Sequence, residues 1–133
     1  MKKLISFLSI LSLIIIASSC NKVEGPGGSS SIKGKLHALV HDGAGNLINE
    51  YDLHDYDVYI IYGNDTEETF YNDDVKTSYD GSFEFNYLEK GSYRLFAYEK
   101  CVSCPSGKDV VMLDVEITDK KSTVEVGTIN IER

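Results

Sequence analysis

The chain has 133 residues, room for one domain at roughly 100–200 residues each, so multi-domain readings are excluded. Hydrophobic residues at 42% and charged residues at 26% suit a packed globular core, neither disordered nor collagen-like. Thirteen Lys and Arg against 21 Asp and Glu give a formal net charge of -8, the wrong sign for attraction to phosphate backbones, and no nucleic-acid partner is expected.

The first segment pairs a short positive start, Met1-Lys2-Lys3, with an apolar run from Leu4 to Ile16 interrupted only by Ser6, Ser9 and Ser12. The run is shorter than the ~20 residues of a spanning helix and ends in Ala17-Ser18-Ser19-Cys20. This pattern resembles bacterial lipoprotein signal peptides, in which a small-residue box precedes a cysteine that is acylated and becomes the mature N-terminus. The resemblance implies that residues 1–19 are a signal peptide and that Cys20 is lipidated by acyl chains such as palmitate, giving a membrane partner through a lipid anchor. Ala17 departs from the Leu usual at its position; the competing reading is a secreted protein cut near Ala17, with Cys20 a free thiol. Asn21, where an Asp would favour inner-membrane retention, points to the outer membrane. Loss of residues 1–19 removes Lys2 and Lys3 and so takes the net charge from -8 to -10.

Residues 20–31 comprise the lipidated Cys and Asn21 to Ser31 (NKVEGPGGSSS), Gly/Ser-rich and without apolar period, and read as a flexible tether. The domain is expected over 32–133. Alternation places Ile32, Gly34, Leu36, Ala38 and Val40 on one face of a half-buried strand. Further strands are predicted over Tyr56 to Tyr62, Val75 to Ser78, Phe83 to Phe85, Tyr93 to Tyr98, Val110 to Ile117 and Val124 to Ile131, the last with a bulge at Gly127-Thr128. Turn signals at Asp42-Gly43-Ala44-Gly45-Asn46, Gly63-Asn64-Asp65, Asp80-Gly81, Lys90-Gly91 and Asp119-Lys120-Lys121 separate them, and no stretch carries a helical apolar stripe. Seven short strands in about 100 residues describe an all-β, single antiparallel β-sandwich.

The stretch Val75-Lys76-Thr77-Ser78-Tyr79-Asp80-Gly81-Ser82-Phe83-Glu84-Phe85, then Leu88, then Gly91-Ser92-Tyr93-Arg94-Leu95-Phe96-Ala97, resembles carboxypeptidase regulatory-like domains. The resemblance implies a transthyretin-like (prealbumin-like) Greek-key sandwich of seven strands. Its physical logic stands without the family: Asp80-Gly81 supplies a hairpin turn, Phe83 and Phe85 enter the core, and Gly91 permits the return before Tyr93 and Leu95. A related group of surface domains forms Lys-Asn or Lys-Asp isopeptide bonds with help from a Glu where Ala97 stands here, so Lys33 and Lys35 read as solvated strand residues. The Tyr-Arg-Gly-Ser ending of the purine-pathway hydrolases on this scaffold is absent from the last residues, Ile129 to Arg133.

Cys101-Val102-Ser103-Cys104-Pro105 is a CxxC, a spacing used for redox exchange, for zinc and for structural disulfides. It follows a strand and precedes a Pro-Gly loop, and no second CxxC completes a ligand set, so a structural disulfide between Cys101 and Cys104 is expected in an exported protein. From Glu50 to Asp80, ten acidic residues face the single Lys76. Asn64-Asp65 and Asn72-Asp73-Asp74 could offer oxygens to Ca²⁺, and a solvated acidic face is the simpler reading. Asp52, Asp55, Asp57, Asp73 and Asp74 are the binding candidates, with Tyr51, Tyr56 and Tyr59 nearby as rings on which sugars could stack. His37 and His41 lack the company of a catalytic triad.

No catalytic residue, metal site or cofactor is expected. The functional expectation is a membrane-anchored envelope lipoprotein whose sandwich is a non-catalytic binding or accessory module, its partner an envelope protein or glycan with weak calcium binding. The alternative is a small envelope enzyme, either a transthyretin-like hydrolase or a thiol oxidoreductase using Cys101 and Cys104.

Overall fold

A computed structural model describes residues 24–63 and 70–133. The expected signal peptide, Cys20 and the calcium candidate Asn64-Asp65 lie outside these residues. Eight strands and no helix occur among them: β1 (Pro26–His41), β2 (Leu47–Asp52), β3 (Asp57–Tyr62), β4 (Asp73–Lys76), β5 (Ser82–Leu88), β6 (Gly91–Lys100), β7 (Lys108–Ile117) and β8 (Thr123–Glu132). They form two four-stranded sheets that pack face to face as an all-β sandwich, because strict alternation gives each sheet one apolar face to bury.

The first sheet is built on β1. Its lower half, Pro26 to Lys35, pairs antiparallel with β5, and its upper half, His37 to His41, pairs antiparallel with β2. Strand β8 runs parallel to β1 from Ser31 to Leu39. The second sheet has the order β4-β3-β6-β7, antiparallel throughout. Between them lie Ile32, Leu36, Ala38, Val58, Ile60, Phe83, Phe85, Tyr93, Leu95, Ala97, Val115, Ile117 and Ile131, all buried. The paired aromatics of the predicted hairpin thus enter the core as their alternation requires.

Three details differ from the expectation. The strand count is eight, because Leu47 to Asp52 (LINEYD) mixes apolar and polar residues in both phases and leaves most of its surface exposed, so no periodicity announces it. One pairing, β1 with β8, is parallel. The Gly/Ser segment expected as a tether up to Ser31 becomes strand from Pro26. Its serines dock on the β7–β8 turn: the Ser30 hydroxyl donates to the Asp119 carbonyl at 2.9 Å, Ser31 N–H donates to the Ser122 carbonyl at 2.9 Å, and the Ser29 hydroxyl accepts from Lys121 N–H at 3.1 Å. Small side chains suit this because Gly28 lies against the backbone of Leu88, where a Cβ would collide.

Two further glycines adopt the left-handed backbone that favours glycine. Gly81 closes the β4–β5 turn at φ 77° with the Leu36 carbonyl where a Cβ would stand, and the Asp80 carboxylate accepts from Ser82 N–H and its hydroxyl. The predicted bulge is present: Lys33 opposes Glu125 while Lys35 opposes Thr128, so β8 carries one extra residue, with Gly127 at φ 75°.

Candidate functional site

The outward faces of the two sheets differ in kind. On the β1 sheet, Lys33 meets Glu84 at 3.2 Å and Lys35 meets Asp52 at 2.8 Å, while His37 Nδ1 lies 2.9 Å from Asp52 and its Nε2 3.6 Å from Glu50. Hydrogen bonding from Lys35, then from His37, holds the Asp52 carboxyl below its usual range. A His–Asp pair is two thirds of a hydrolytic triad, but here the second imidazole nitrogen faces a carboxylate, not a hydroxyl or thiol. His41 pairs with Glu132 at 2.8 Å.

On the other sheet the outward positions are aromatic. Tyr59 of β3 stacks on Phe96 of β6 with centroids 4.9 Å apart and planes at 16°. Tyr71 packs on Tyr59 at 4.7 Å, and Tyr98 meets Tyr59 and Phe96 edge-on at 5.8 and 5.9 Å. These are the offset and T-shaped geometries that ring quadrupoles favour. Phe70, Met112 and Val110 extend the patch around a groove of about 400 Å³; Phe70 is 80% and Met112 58% exposed. Asp57 and Asp74 border Tyr59, whose phenol is pushed up chiefly by burial, then by Asp57. At the lower end Arg94 grips Asp114 through two hydrogen bonds, 2.6 and 3.3 Å.

At the upper end the sheets part to leave a mouth of about 540 Å³, lined by Val40 and Tyr51 from one sheet, Tyr56, and Tyr98 to Lys100 with Gly107 and Lys108 from the other, and Arg133. The Tyr56 hydroxyl donates to the Tyr98 carbonyl at 2.8 Å and accepts from Arg133 Nη1 at 3.1 Å, and the guanidinium stands 5.0 Å over the Tyr56 ring. Lys108 holds its ammonium 5.8 Å from the Tyr98 ring. Tyr98 borders both mouth and aromatic face.

The rim of the mouth is the Cys101–Gly107 loop. Cys101 and Cys104 are joined by a disulfide with Cα atoms 5.3 Å apart. Gly107 N–H donates to the Cys104 carbonyl at 2.9 Å and Cys101 N–H to the Gly107 carbonyl at 3.1 Å. Asp109 lies close to both sulfurs, but bonded sulfurs are not thiolates and do not form a zinc set with it.

The five candidate aspartates are divided by the fold. Asp52 lies on the charged face of the β1 sheet. Asp55 and Asp57 share Lys76, at 3.4 and 3.1 Å, while Asp73 and Asp74 lie on the edge strand β4. Asp57 and Asp74 flank the aromatic face, whereas the Asp73 carboxylate accepts the N–H of Asp74. Of the tyrosines singled out, Tyr59 centres the outer face and Tyr51 and Tyr56 line the mouth. Phe96, Tyr98, Tyr71 and Phe70 are not among the candidates that the sequence supplies; the available signal for Phe96 and Tyr98 is the run Leu95-Phe96-Ala97-Tyr98 in β6, which fills both phases of the alternation.

The fold and this site define an all-β sandwich with an aromatic outer face and an open mouth. No family model matches the chain, and no curated protein matches it. Solved structures of similar shape include a candidate carbohydrate-binding protein from Pseudomonas aeruginosa, with 13% identity and a TM-score of 0.48 over 82% of this chain and 91% of that one. An (S)-allantoin synthase gives 15% identity and a TM-score of 0.42 over 77% of this chain and 42% of that one. A 9R-lipoxygenase from Cyanothece gives 16% identity and 0.38 over 76% of this chain and 16% of that one.

Proposed function

We propose that this protein is an envelope lipoprotein of the outer membrane, anchored by acyl chains on Cys20, whose sandwich binds glycan without catalysis in the manner of a carboxypeptidase regulatory-like module. The observation that carries the reading is the outward face of the β3–β6–β7 sheet, where Tyr59, Tyr71, Phe96 and Tyr98 pack into one platform. Stacked rings offer apolar faces to the C–H side of a sugar, and Asp57 and Asp74 at the border accept hydrogen bonds from its hydroxyls.

Topology supports the anchoring. The chain enters the sandwich at its lower end, where the buried Tyr93 hydroxyl accepts from Gly25 N–H at 3.1 Å and donates to the Glu89 carbonyl at 2.7 Å. From Gly25 back to Cys20 is at most about 18 Å of extended chain. The 16 residues of β1 then rise about 50 Å to the mouth, which opens away from the anchored end.

Two measurements test the reading. Cys20→Ala should release the protein from membranes; a variant that still sediments with membrane in high salt defeats the anchor. Phe96→Ala and Tyr98→Ala should abolish retention on immobilised envelope polysaccharide while the melting transition persists; unchanged retention in both defeats the glycan face.

A further inference from the structure

The mouth carries a charge that the rest of the molecule does not predict. In a chain of formal charge -8, the side chains of its lining gather Lys100, Lys108 and Arg133 against one acidic side chain, Glu99. That carboxylate is already engaged, accepting Glu132 N–H at 3.3 Å. On the sheets, cations answer carboxylates: Lys33 with Glu84, Lys35 with Asp52, Lys76 with Asp57 and Arg94 with Asp114. Among the described residues none of the three mouth cations is in such a pair.

Arg133 is also held in place. Its Nη1 donates to the Tyr56 hydroxyl and its central carbon stands 5.0 Å from the Tyr56 ring centroid, which leaves Nε and Nη2 of the planar fork without a partner among the described residues. A guanidinium fork of this kind matches the two oxygens of a carboxylate. Lys108, at the start of β7 beside the disulfide rim, adds a second positive charge near the Tyr98 ring. The volume, about 540 Å³, falls within the ~300–1,000 Å³ range of small-ligand sites, and the rings of Tyr51 and Tyr56 supply apolar walls.

We infer that the mouth is a subsite for a carboxylate-bearing sugar, so that the glycan bound by this module is acidic. The inference rests on the glycan reading above and specifies its ligand: a uronic-acid residue placed with its carboxylate on Arg133 and Lys108, while neutral neighbours run past Tyr98 onto the aromatic face.

The test uses the purified lipidated protein in detergent and matched pairs of oligosaccharides: oligogalacturonate, oligomannuronate and hyaluronan fragments, each beside its carboxyl-reduced counterpart. Isothermal titration should find at least one acid bound about tenfold or more tightly than its reduced partner, with the gap closing as salt is raised. Lys108→Gln and Arg133→Gln should each shrink the gap, and Arg133→Lys should restore only part of it. Because Arg133→Gln also removes a contact to Tyr56, the exposed Lys108→Gln variant separates charge from folding. Acid and reduced partners bound alike, or a preference unmoved by both Gln variants, overturns the acidic-ligand inference and leaves the glycan reading standing. Binding by no pair overturns both.

Discussion

The two outward faces obey one backbone rule and reach opposite results. On the β1 sheet the outward register positions include Lys33, Lys35, His37, Glu84, Asp52 and Asn130, with Leu39 between Glu50 and Glu132 at the upper end, a mainly charged and hydrated face that needs no cover. On the β3–β6–β7 sheet the equivalent positions are Tyr59, Ile61, Phe96, Tyr98, Val110 and Met112, with the Arg94–Asp114 pair confined to the lower end. Exposed apolar surface forgoes about 25 cal/mol for each Å² left in water, and contiguous patches of it mark interaction sites. The contrast teaches that alternation assigns sides, and that the composition of the outer side decides whether a face is solvated or used.

Adjacent residues of β6 give the sharpest way to break this contrast. Leu95 is 1% exposed in the core, while Phe96 looks outward from the same strand. Leu95→Ala should lower stability by about 2–5 kcal/mol through lost burial and a cavity, with the folded fraction still binding glycan. Phe96→Ala should reverse the pattern, a small shift in melting and lost binding. Chemical denaturation paired with a binding assay checks both, and equal stability losses would erase the distinction between the faces.

The disulfide comes next in size. Removing it with Cys101→Ser and Cys104→Ser should cost less than the ~3 kcal/mol of a fifteen-residue loop, and the loss should fall more on affinity than on melting, because the bridge braces Gly107, the residue before Lys108, through the Gly107 N–H to the Cys104 carbonyl. A melting shift with unchanged affinity would assign the bridge to the core.

At the opposite end, Tyr93→Phe removes the hydroxyl that accepts from Gly25 N–H and should cost about 1–3 kcal/mol. Burial, above all, holds this phenol above its ordinary range. Its contribution is therefore complete below the unfolded-state value near pH 10 and is lost as pH rises from there through the folded-state value. Stability measured across alkaline pH should fall less steeply in the Phe variant, and parallel curves would show that Tyr93 does not carry the dependence. The smallest effect belongs to the charged face: a double-mutant cycle on Lys33 and Glu84 with Gln should return about 0–1 kcal/mol. A larger coupling would make that face more than a solvated surface.

Much of the sandwich could be read from residue order alone, since local rules write it there. Period-2 runs located most strands, Asp80-Gly81 and Asp42 to Asn46 marked turns, and the CxxC spacing, in a chain read as exported, led to the disulfide. The core membership of Phe83 and Phe85 followed from the same alternation. What stayed hidden depends on partners distant in sequence. Strand β2 exists because the upper half of β1 has an open edge for it, not because LINEYD favours a strand. The serines before Ile32 join the sheet because the β7–β8 turn, about 90 residues on, presents matching carbonyls and N–H groups. Among the described residues, an acidic cluster that looks continuous along the chain is divided between two sheets, with Asp52 answering Lys35 and Asp55 and Asp57 answering Lys76. The aromatic platform and the cationic mouth together draw on five or more separate segments, from Val40 to Arg133, and no window of sequence contains their spacing. Tertiary pairing decided those sites, because side chains on different strands become neighbours only once hydrogen-bond register sets which residues stand opposite each other.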